Sequence, residues 1–201
     1  MWDGQIKVIT GIRRSGKSTL LFDLFYNYLI DNGIYKENII TLQLDKRKDA
    51  KYRNPIVLAE FVEKQIRMHT EKFYLFIDEI QFCYSVPDPD NAGFVITIYD
   101  MLNELKDYKN LDVYVTGSNS KMLSKDISTE FRGRSSQIHV YPLSFAEYND
   151  AVGGDKRDNF DRYMIYGGLP YILHLKTEEQ YKDYLLNLFS EVYIKDIVER
   201  N

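Results

Sequence analysis

The chain has 201 residues, of which 44% are hydrophobic and 28% charged, so it is long enough for one domain with a full core and a small appendage. Its formal net charge of −4 argues against a general nucleic-acid binder. A single cysteine, Cys83, excludes an internal disulfide and predicts a cytoplasmic protein, and we expect neither a signal peptide nor a membrane span.

Short β-branched runs alternate with amphipathic segments over most of the chain, a pattern typical of βα units on a parallel sheet. This pattern predicts strands at 6–10, 37–45, 73–78, 111–118 and 137–143. It also predicts helices at 17–30, 55–68 and 94–108. The Pro, Asp and Gly content of residues 85–93 predicts a loop.

The character of the sequence changes after Gly153 and Gly154. A helix is predicted after Ser144, which has Glu147 three residues on as in a capping box, and further helices at 156–166, 169–175 and 177–200. We therefore expect one domain over residues 1–150 and a helical region over 151–201. The last residues keep helical register without a cap, which suggests a protein truncated before a C-terminal domain.

A glycine-rich loop, GIRRSGKSTL, lies between the first predicted strand and the first predicted helix. Gly11, Gly16, Lys17 and Ser18 satisfy the phosphate-loop (Walker A) pattern G-x-x-x-x-G-K-[ST] in the context that this motif requires. Glycines let the backbone N–H groups surround phosphate oxygens, and the start of the helix adds its positive dipole end. Lys17 is predicted to contact the β and γ phosphates, and the Ser18 hydroxyl to ligate Mg²⁺.

The third predicted strand ends in two adjacent carboxylates, in the sequence FYLFIDE at 73–79. Asp78 is placed to hold the water shell of Mg²⁺, and Glu79 to orient and deprotonate a water for attack on the γ-phosphate. A base beside the metal favours hydrolysis over transfer to a second substrate. The alternative is an ordinary acidic pair in the loop after a strand.

Two later segments add candidates for the same site. The sequence VYVTGSNS at 113–120 would place Ser118 or Asn119 near the γ-phosphate, where such a residue reports whether that phosphate is present. The sequence FRGRSS contains Arg132 and Arg134, either of which would supply positive charge to the transition state, in cis or across a subunit boundary. A surface turn with solvated arginines is an equally open interpretation.

The motifs GIRRSGKSTLL, IDEIQ, YDMLNEL, VYVTGSNSKML, EFRGR and YPLSFAEY follow one another in an order typical of one family. The chain resembles the prokaryotic AAA-type (AAA+-like) P-loop ATPases, the group that usually carries a C-terminal domain of uncharacterised function. The resemblance covers nearly the whole chain. It implies an α/β P-loop NTPase fold of three layers, with a parallel five-stranded sheet in the order 5-1-4-3-2, followed by a small helical lid.

The resemblance also implies a set of functional residues. Asp78 and Glu79 fall on the metal and water pair, Asn119 or Ser118 on the sensor, and Arg134 or Arg132 on the finger-like position. The residues expected to bind the nucleotide are Gly11, Arg13, Arg14, Ser15, Gly16, Lys17, Ser18, Thr19 and Ser118.

The leading hypothesis is Mg²⁺-dependent binding and hydrolysis of ATP, in a domain that changes conformation between its ATP and ADP states. A second hypothesis is an ATP-gated binding or signalling module with little turnover, which acts on a protein or nucleic-acid partner through a missing C-terminal region. A small-molecule kinase is disfavoured by the carboxylate pair. No Asn-Lys-x-Asp stretch typical of guanine recognition is present, so adenine is the expected base, and a homo-oligomer stays open.

Overall fold

The computed structural model describes residues 2–117, 131 and 133–190. Its internal contacts divide the chain into two compact units, Met1–Val140 and Tyr141–Asn201. The division lies earlier than the boundary expected near residue 150, because the helix Phe145–Val152 packs against the next helix and belongs to the second unit.

The first unit is an α/β fold around a parallel sheet. Its main elements are, in chain order, β1 (Ile6–Thr10), α1 (Lys17–Asp31), β2 (Ile39–Gln43), α2 (Pro55–Ile66), β3 (Phe73–Asp78), β4 (Val86–Pro87), β5 (Val95–Ile96), α3 (Ile98–Leu105), β6 (Leu111–Thr116) and β7 (Ser135–His139). The five-stranded sheet has the order β2-β3-β6-β1-β7, and all neighbours are parallel. This is the expected order 5-1-4-3-2, counted along the five sheet strands and read from the other edge.

Helix α1 changes its winding along its length. It is α-helical at Lys17–Thr19, π-helical at Leu20–Phe25 and α-helical again at Tyr26–Asp31. Leu21 and Leu29 are buried against one face of the sheet, together with aromatic residues of β3 and β6. Wide turns of this kind are rare inside helices and are frequently found at functional sites.

The sheet is covered on both faces, so its central strands are buried along their whole length and mostly apolar, with polar residues near their ends. Every residue of β3 and of β6 is buried, as expected for parallel strands between two helical layers. One face contributes Ile6, Val8, Leu75, Ile77, Val113 and Val115 to a core shared with α2 and α3. The other face contributes Ile9, Tyr74, Phe76 and Tyr114 to the core beneath α1.

The segment between β3 and α3 differs from its prediction. Residues 85–93, expected as a loop, contain β4, which pairs antiparallel with β5 in a short hairpin. Helix α3 begins at Ile98 and not at 94, because Thr97 and Asp100 form a reciprocal capping box that sets its first turn. The sequence pattern therefore predicts a start for this helix that lies too far towards the N-terminus.

The edge strand β7 lies earlier than the predicted strand at 137–143. It pairs with the whole of β1, from Ile6 opposite Ser135 to Thr10 opposite His139. Beyond this ladder Val140 N donates to the Thr10 carbonyl at 2.8 Å. The chain then reaches Pro142, which has no N–H group to continue the pairing.

The second unit is helical in its described part. It consists of α4 (Phe145–Val152), α5 (Lys156–Tyr166), a 3-10 turn at Pro170–His174 where a helix was expected, and α6 (Glu178–Asn187). Capping boxes begin α4 at Ser144 with Glu147, as predicted, and α6 at Thr177 with Gln180. The predicted helix 177–200 is described only to residue 190. In the described part of either unit, no helix combines the length and apolar character needed to cross a membrane.

Candidate active site

Three neighbouring strands of the sheet end in buried polar residues at the same edge. These residues are Thr10 on β1, Asp78 on β3 and Thr116 on β6. Because the carboxyl ends of parallel strands meet at one edge, the three side chains and the loops after them are brought together. The predicted phosphate loop, residues 11–16, and the start of α1 lie at this edge.

The loop needs glycine at its first position. Gly11 has φ of 147°, and a Cβ atom there would lie 2.3 Å from the carbonyl oxygen of Val140. Gly16, just before α1, also has a positive φ, of 98°. The loop therefore lies close against the end of β7 and adopts a backbone path that residues with side chains disfavour.

Ser15 carries a buried hydroxyl with an unmet hydrogen bond. The residue is 3% exposed, and its Oγ has no hydrogen-bond partner among the described residues. A polar atom that is removed from water without a partner costs free energy. Its position inside the glycine loop makes it a suitable contact for a ligand oxygen.

Lys17 is folded back onto the loop that precedes it. Its Nζ donates to the carbonyl oxygens of Gly11 at 3.0 Å and of Ile12 at 2.9 Å. Burial lowers the pKa of Lys17, and the negative charges of Glu79 and Asp78 oppose that effect. The structure thus brings this predicted lysine and the predicted carboxylate pair into one electrostatic environment.

Asp78 accepts two hydroxyl hydrogen bonds through one carboxylate oxygen. Ser18 Oγ donates to Asp78 Oδ1 at 3.2 Å, and Thr116 Oγ1 donates to the same atom. Burial raises the pKa of Asp78, while these two hydrogen bonds act to lower it. Ser18 and Asp78, predicted from separate motifs, are therefore direct neighbours.

Glu79 has a strained backbone that its neighbours hold in place. Its φ is 57°, in the left-handed region that residues other than glycine rarely adopt. Its backbone N donates to Thr116 Oγ1 at 3.2 Å, and Gln81 Nε2 donates to its carboxylate Oε2. Strain of this kind often accompanies functional sites, where the surrounding structure maintains it.

Sequence reasoning missed Thr116 and Gln81. Thr116 joins Asp78 to the backbone of Glu79, and Gln81 binds the Glu79 side chain. Both lie inside motifs that were recognised, VYVTGSNS and IDEIQ. The available signal was their polar character within a few residues of the predicted site residues.

The other predicted residues have different outcomes. Ser118, Asn119 and Arg132 lie outside the described residues. Arg13, Arg14 and Thr19 are exposed on the loop and the first turn of α1, and Arg14 has φ of 65°.

Arg134 lies at the opposite end of the strands, where their amino ends meet. It precedes β7, and its carbonyl oxygen accepts a hydrogen bond from Ile6 N at 3.0 Å, at the start of β1. The five residues of β1 separate that position from the phosphate loop by roughly 15 Å, at about 3.3 Å per residue. Because the Arg134 side chain does not cover this distance, the geometry favours the second of the two alternatives, action across a subunit boundary, and that role stays a prediction.

The donor set suits a nucleotide phosphate with Mg²⁺. The unpartnered Ser15 Oγ and the glycine-lined loop fit phosphate oxygens, and the Ser18 hydroxyl and Asp78 carboxylate are the hard oxygen ligands that Mg²⁺ prefers. Across the described residues, no group of three or more His, Cys, Asp or Glu side chains could hold a metal ion alone. Mg²⁺ at this site would therefore share its coordination with the phosphates and water, which is its usual behaviour.

Comparisons with known proteins show the family of this chain. A family profile described as an AAA domain matches residues 3–149. An uncharacterised protein of Haemophilus influenzae is 32% identical over 201 residues, which cover 97% of this chain and 46% of the relative. An uncharacterised protein of Methanocaldococcus jannaschii is 29% identical over 213 residues, which cover 98% of this chain and 43% of the relative. The chain thus spans less than half the length of either relative.

A solved structure has a similar fold. The Walker-type ATPase PABY2304 of Pyrococcus abyssi superposes with a TM-score of 0.56 at 14% sequence identity. The match covers 96% of this chain and 70% of that chain. At this level of identity the likeness concerns the fold.

Proposed function

The chain belongs to the AAA domain family, and from that premise we propose that its first unit binds ATP with Mg²⁺ and hydrolyses it. The observation that carries this proposal is the convergence of Lys17, Asp78 and Glu79 around one glycine loop. Each of the three has a separate task in phosphoryl transfer to water, and the fold brings them together from two distant segments of the chain.

Binding would begin with the phosphates in the loop. Backbone N–H groups of residues 11–16 and the Ser15 hydroxyl would donate to phosphate oxygens. The ammonium of Lys17 would exchange the carbonyls of Gly11 and Ile12 for the β and γ phosphates. This exchange favours binding, because a buried ammonium gains much more from an anion than from neutral carbonyl groups.

Mg²⁺ would be held by the Ser18 hydroxyl and, through water or directly, by Asp78. When bound, it would neutralise charge on the β and γ phosphates. The present hydrogen bond between Ser18 and Asp78 already holds the two oxygen ligands within 3.2 Å of each other.

Glu79 would act as the general base. As the oxygen of a water bonds to the γ-phosphorus, one proton of that water passes to the Glu79 carboxylate. The bond between the γ-phosphorus and the β–γ bridging oxygen breaks, and ADP leaves with the electron pair. Thr116 would hold the Glu79 backbone in the orientation that this step requires.

The wider role of the protein is part of the same proposal. The ATP and ADP states would differ in conformation and act on a protein or nucleic-acid partner through regions beyond this chain. In a homo-oligomer, Arg134 of one subunit would reach the γ-phosphate bound by its neighbour. A cytoplasmic location stays a prediction from the lone cysteine.

Titration calorimetry with MgATP, together with phosphate-release assays, tests the proposal. We expect Lys17→Ala to weaken ATP binding by about 100-fold or more, which corresponds to the loss of about 2.8 kcal/mol. Glu79→Gln should keep ATP affinity and lose phosphate release by about 100-fold or more, since the amide cannot accept the proton. Lys109→Ala, which changes an exposed lysine, is the matched control.

The outcomes separate the candidate functions. Binding by the unaltered chain that survives in Lys17→Ala would refute this site. Binding without turnover in the unaltered chain would favour the ATP-gated module. No binding at all would overturn the proposal.

A further inference from the structure

A glutamine lies directly against the proposed general base. Gln81 is in the 3-10 turn Ile80–Phe82 that follows β3, and the turn is closed by Phe82 N, which donates to the Glu79 carbonyl at 3.0 Å. From this short turn the Gln81 side chain reaches back, and its Nε2 donates to Glu79 Oε2. The turn thus positions Gln81, and the side-chain hydrogen bond holds its amide against Glu79.

The orientation of this amide follows from hydrogen-bond chemistry. An ionised carboxylate only accepts hydrogen bonds, so the nitrogen of Gln81 must face Glu79 and the oxygen must point elsewhere. That oxygen, Gln81 Oε1, is buried and has no hydrogen-bond partner among the described residues. The two polar atoms of an amide are only about 2.2 Å apart, so this unsatisfied acceptor lies beside the Glu79 carboxylate.

We propose that Gln81 orients the attacking water. This inference rests on the proposed ATPase function and adds a second acceptor to its active site. A water has two protons, and here one would point to Glu79 and the other to Gln81 Oε1. With both protons engaged, a lone pair of the water oxygen would face the γ-phosphorus, and the buried Oε1 would gain the partner that it lacks.

The reaction keeps its atom balance with Gln81 in this role. Glu79 takes one proton as the water oxygen bonds to phosphorus, and ADP leaves with the electrons of the broken bond. Gln81 neither gains nor loses a proton, and its hydrogen bond passes to the phosphate that forms. Loss of Gln81 Oε1 would therefore slow turnover and leave ground-state nucleotide binding unchanged.

The test uses Gln81→Met, which keeps the length of the side chain and removes its polar atoms. We expect its affinities for ATP and ADP to stay within about twofold of those of the unaltered protein. Phosphate release should fall by about 10- to 100-fold, less than the roughly 10²- to 10⁴-fold contributed by a group that transfers a proton, because Gln81 only orients the water. Gln65→Met, at an exposed position of α2, is the matched control.

A second measurement does not depend on turnover. ADP with aluminium fluoride and Mg²⁺ mimics the transferred phosphoryl group with an in-line water, and the unaltered chain should bind it more tightly than ADP alone. Gln81→Met should lose most of that preference. Gln81→Asn, with the same amide on a shorter side chain, should recover part of it.

Each outcome is decisive. If Gln81→Met keeps both phosphate release and the preference for the fluoride complex, the inference is overturned and the proposed ATPase survives. If Gln81→Met loses ATP affinity and melting temperature together, Gln81 is a structural residue, and the inference is again overturned. If the unaltered chain fails to bind ATP, the proposed function falls, and this inference with it.

Discussion

Two lysines, Lys7 and Lys17, are buried in the same unit, and their surroundings differ. Lys7 is 4% exposed near the start of β1, and its Nζ forms ion pairs with Asp3 and Asp112, each at 2.6 Å. Lys17 is 5% exposed just beyond the end of β1, and among the described residues its hydrogen bonds go to backbone carbonyls.

The amino edge of the sheet is a completed network. Asp112 also accepts hydrogen bonds from Tyr114 Oη at 3.0 Å and from Trp2 N at 3.1 Å. Burial and the charge of Asp112 raise the pKa of Tyr114, so its hydroxyl keeps its proton and remains a donor. Because the buried charges at this edge have their partners in the protein itself, the network needs no ligand, and its role is structural.

At the carboxyl edge, by contrast, some buried polar groups lack partners among the described residues. Ser15 Oγ and Gln81 Oε1 are buried without partners, and Lys17 lies near two carboxylates without an ion pair among the described residues. Burial of charge is common to both edges. The unmet hydrogen bonds distinguish the proposed nucleotide site from the network that stabilises the fold.

The largest effect should come from breaking the completed network. We expect Lys7→Ala to lower the free energy of unfolding by about 3–5 kcal/mol, because Asp112 is left buried without its ion-pair partner. Lys17→Ala should change that free energy by less than about 1 kcal/mol, since the ammonium costs free energy to bury. Urea denaturation of both variants without nucleotide makes the comparison, and equal losses would remove the distinction between the edges.

Gly11→Ala should have the next largest effect. The new Cβ would lie 2.3 Å from the Val140 carbonyl oxygen, so the loop or β7 must shift. We expect the free energy of unfolding to fall by roughly 2–4 kcal/mol, because the positive φ and the overpacking both destabilise the variant. ATP binding should also weaken.

Gly33→Ala is the control for that loss. Gly33 also has a positive φ, of 84°, but nothing lies within 4 Å of its Cβ position. The free energy of unfolding of Gly33→Ala should therefore fall by only about 1–2 kcal/mol, the cost of placing a side chain at a positive φ. Thermal melts of the two variants would show whether close packing of the loop matters, and equal shifts would mean that it does not.

Asp78→Asn should have the smallest effect, and it should be a gain. The buried carboxylate costs stability when charged, and asparagine keeps an oxygen that accepts from Ser18 and Thr116. We expect a higher melting temperature at pH 7, by roughly 2–4 °C for each ~1 kcal/mol gained. Unchanged or lower stability would contradict the view that this edge is strained for function.

The pH dependence of stability tests whether the buried charge of Asp78 is the cause of this gain. The pKa of Asp78 is raised in the folded state, so between that value and its ordinary value of 3.8 the folded protein binds more protons than the unfolded chain. The unaltered protein therefore gains stability from this group as pH falls through that window. The stability gain of Asp78→Asn over the unaltered protein should therefore shrink as the pH falls. Asp107→Asn, at an exposed carboxyl whose hydrogen bond from Lys106 lowers its pKa, should show no such gain at pH 7.

The sequence by itself determined the local features of this protein. Gly11 to Ser18 predict a phosphate loop, because glycine, lysine and hydroxyl groups at that spacing are typical of one. Strands β1 and β3 and helix α5 lie where their patterns predicted them, and the capping box of Ser144 with Glu147 is formed. Such features depend on residues a few positions apart, so periodicity and spacing suffice to predict them.

The tertiary structure alone decided which side chains meet. Thr116 and Asp78 are 38 residues apart, and their hydrogen bond exists because β6 and β3 are adjacent in parallel register. The same ladder geometry places Arg134 at the far edge of the sheet, although its sequence motif suggested the active site. Contacts between strands depend on register and burial over the whole sheet, and no local pattern encodes them.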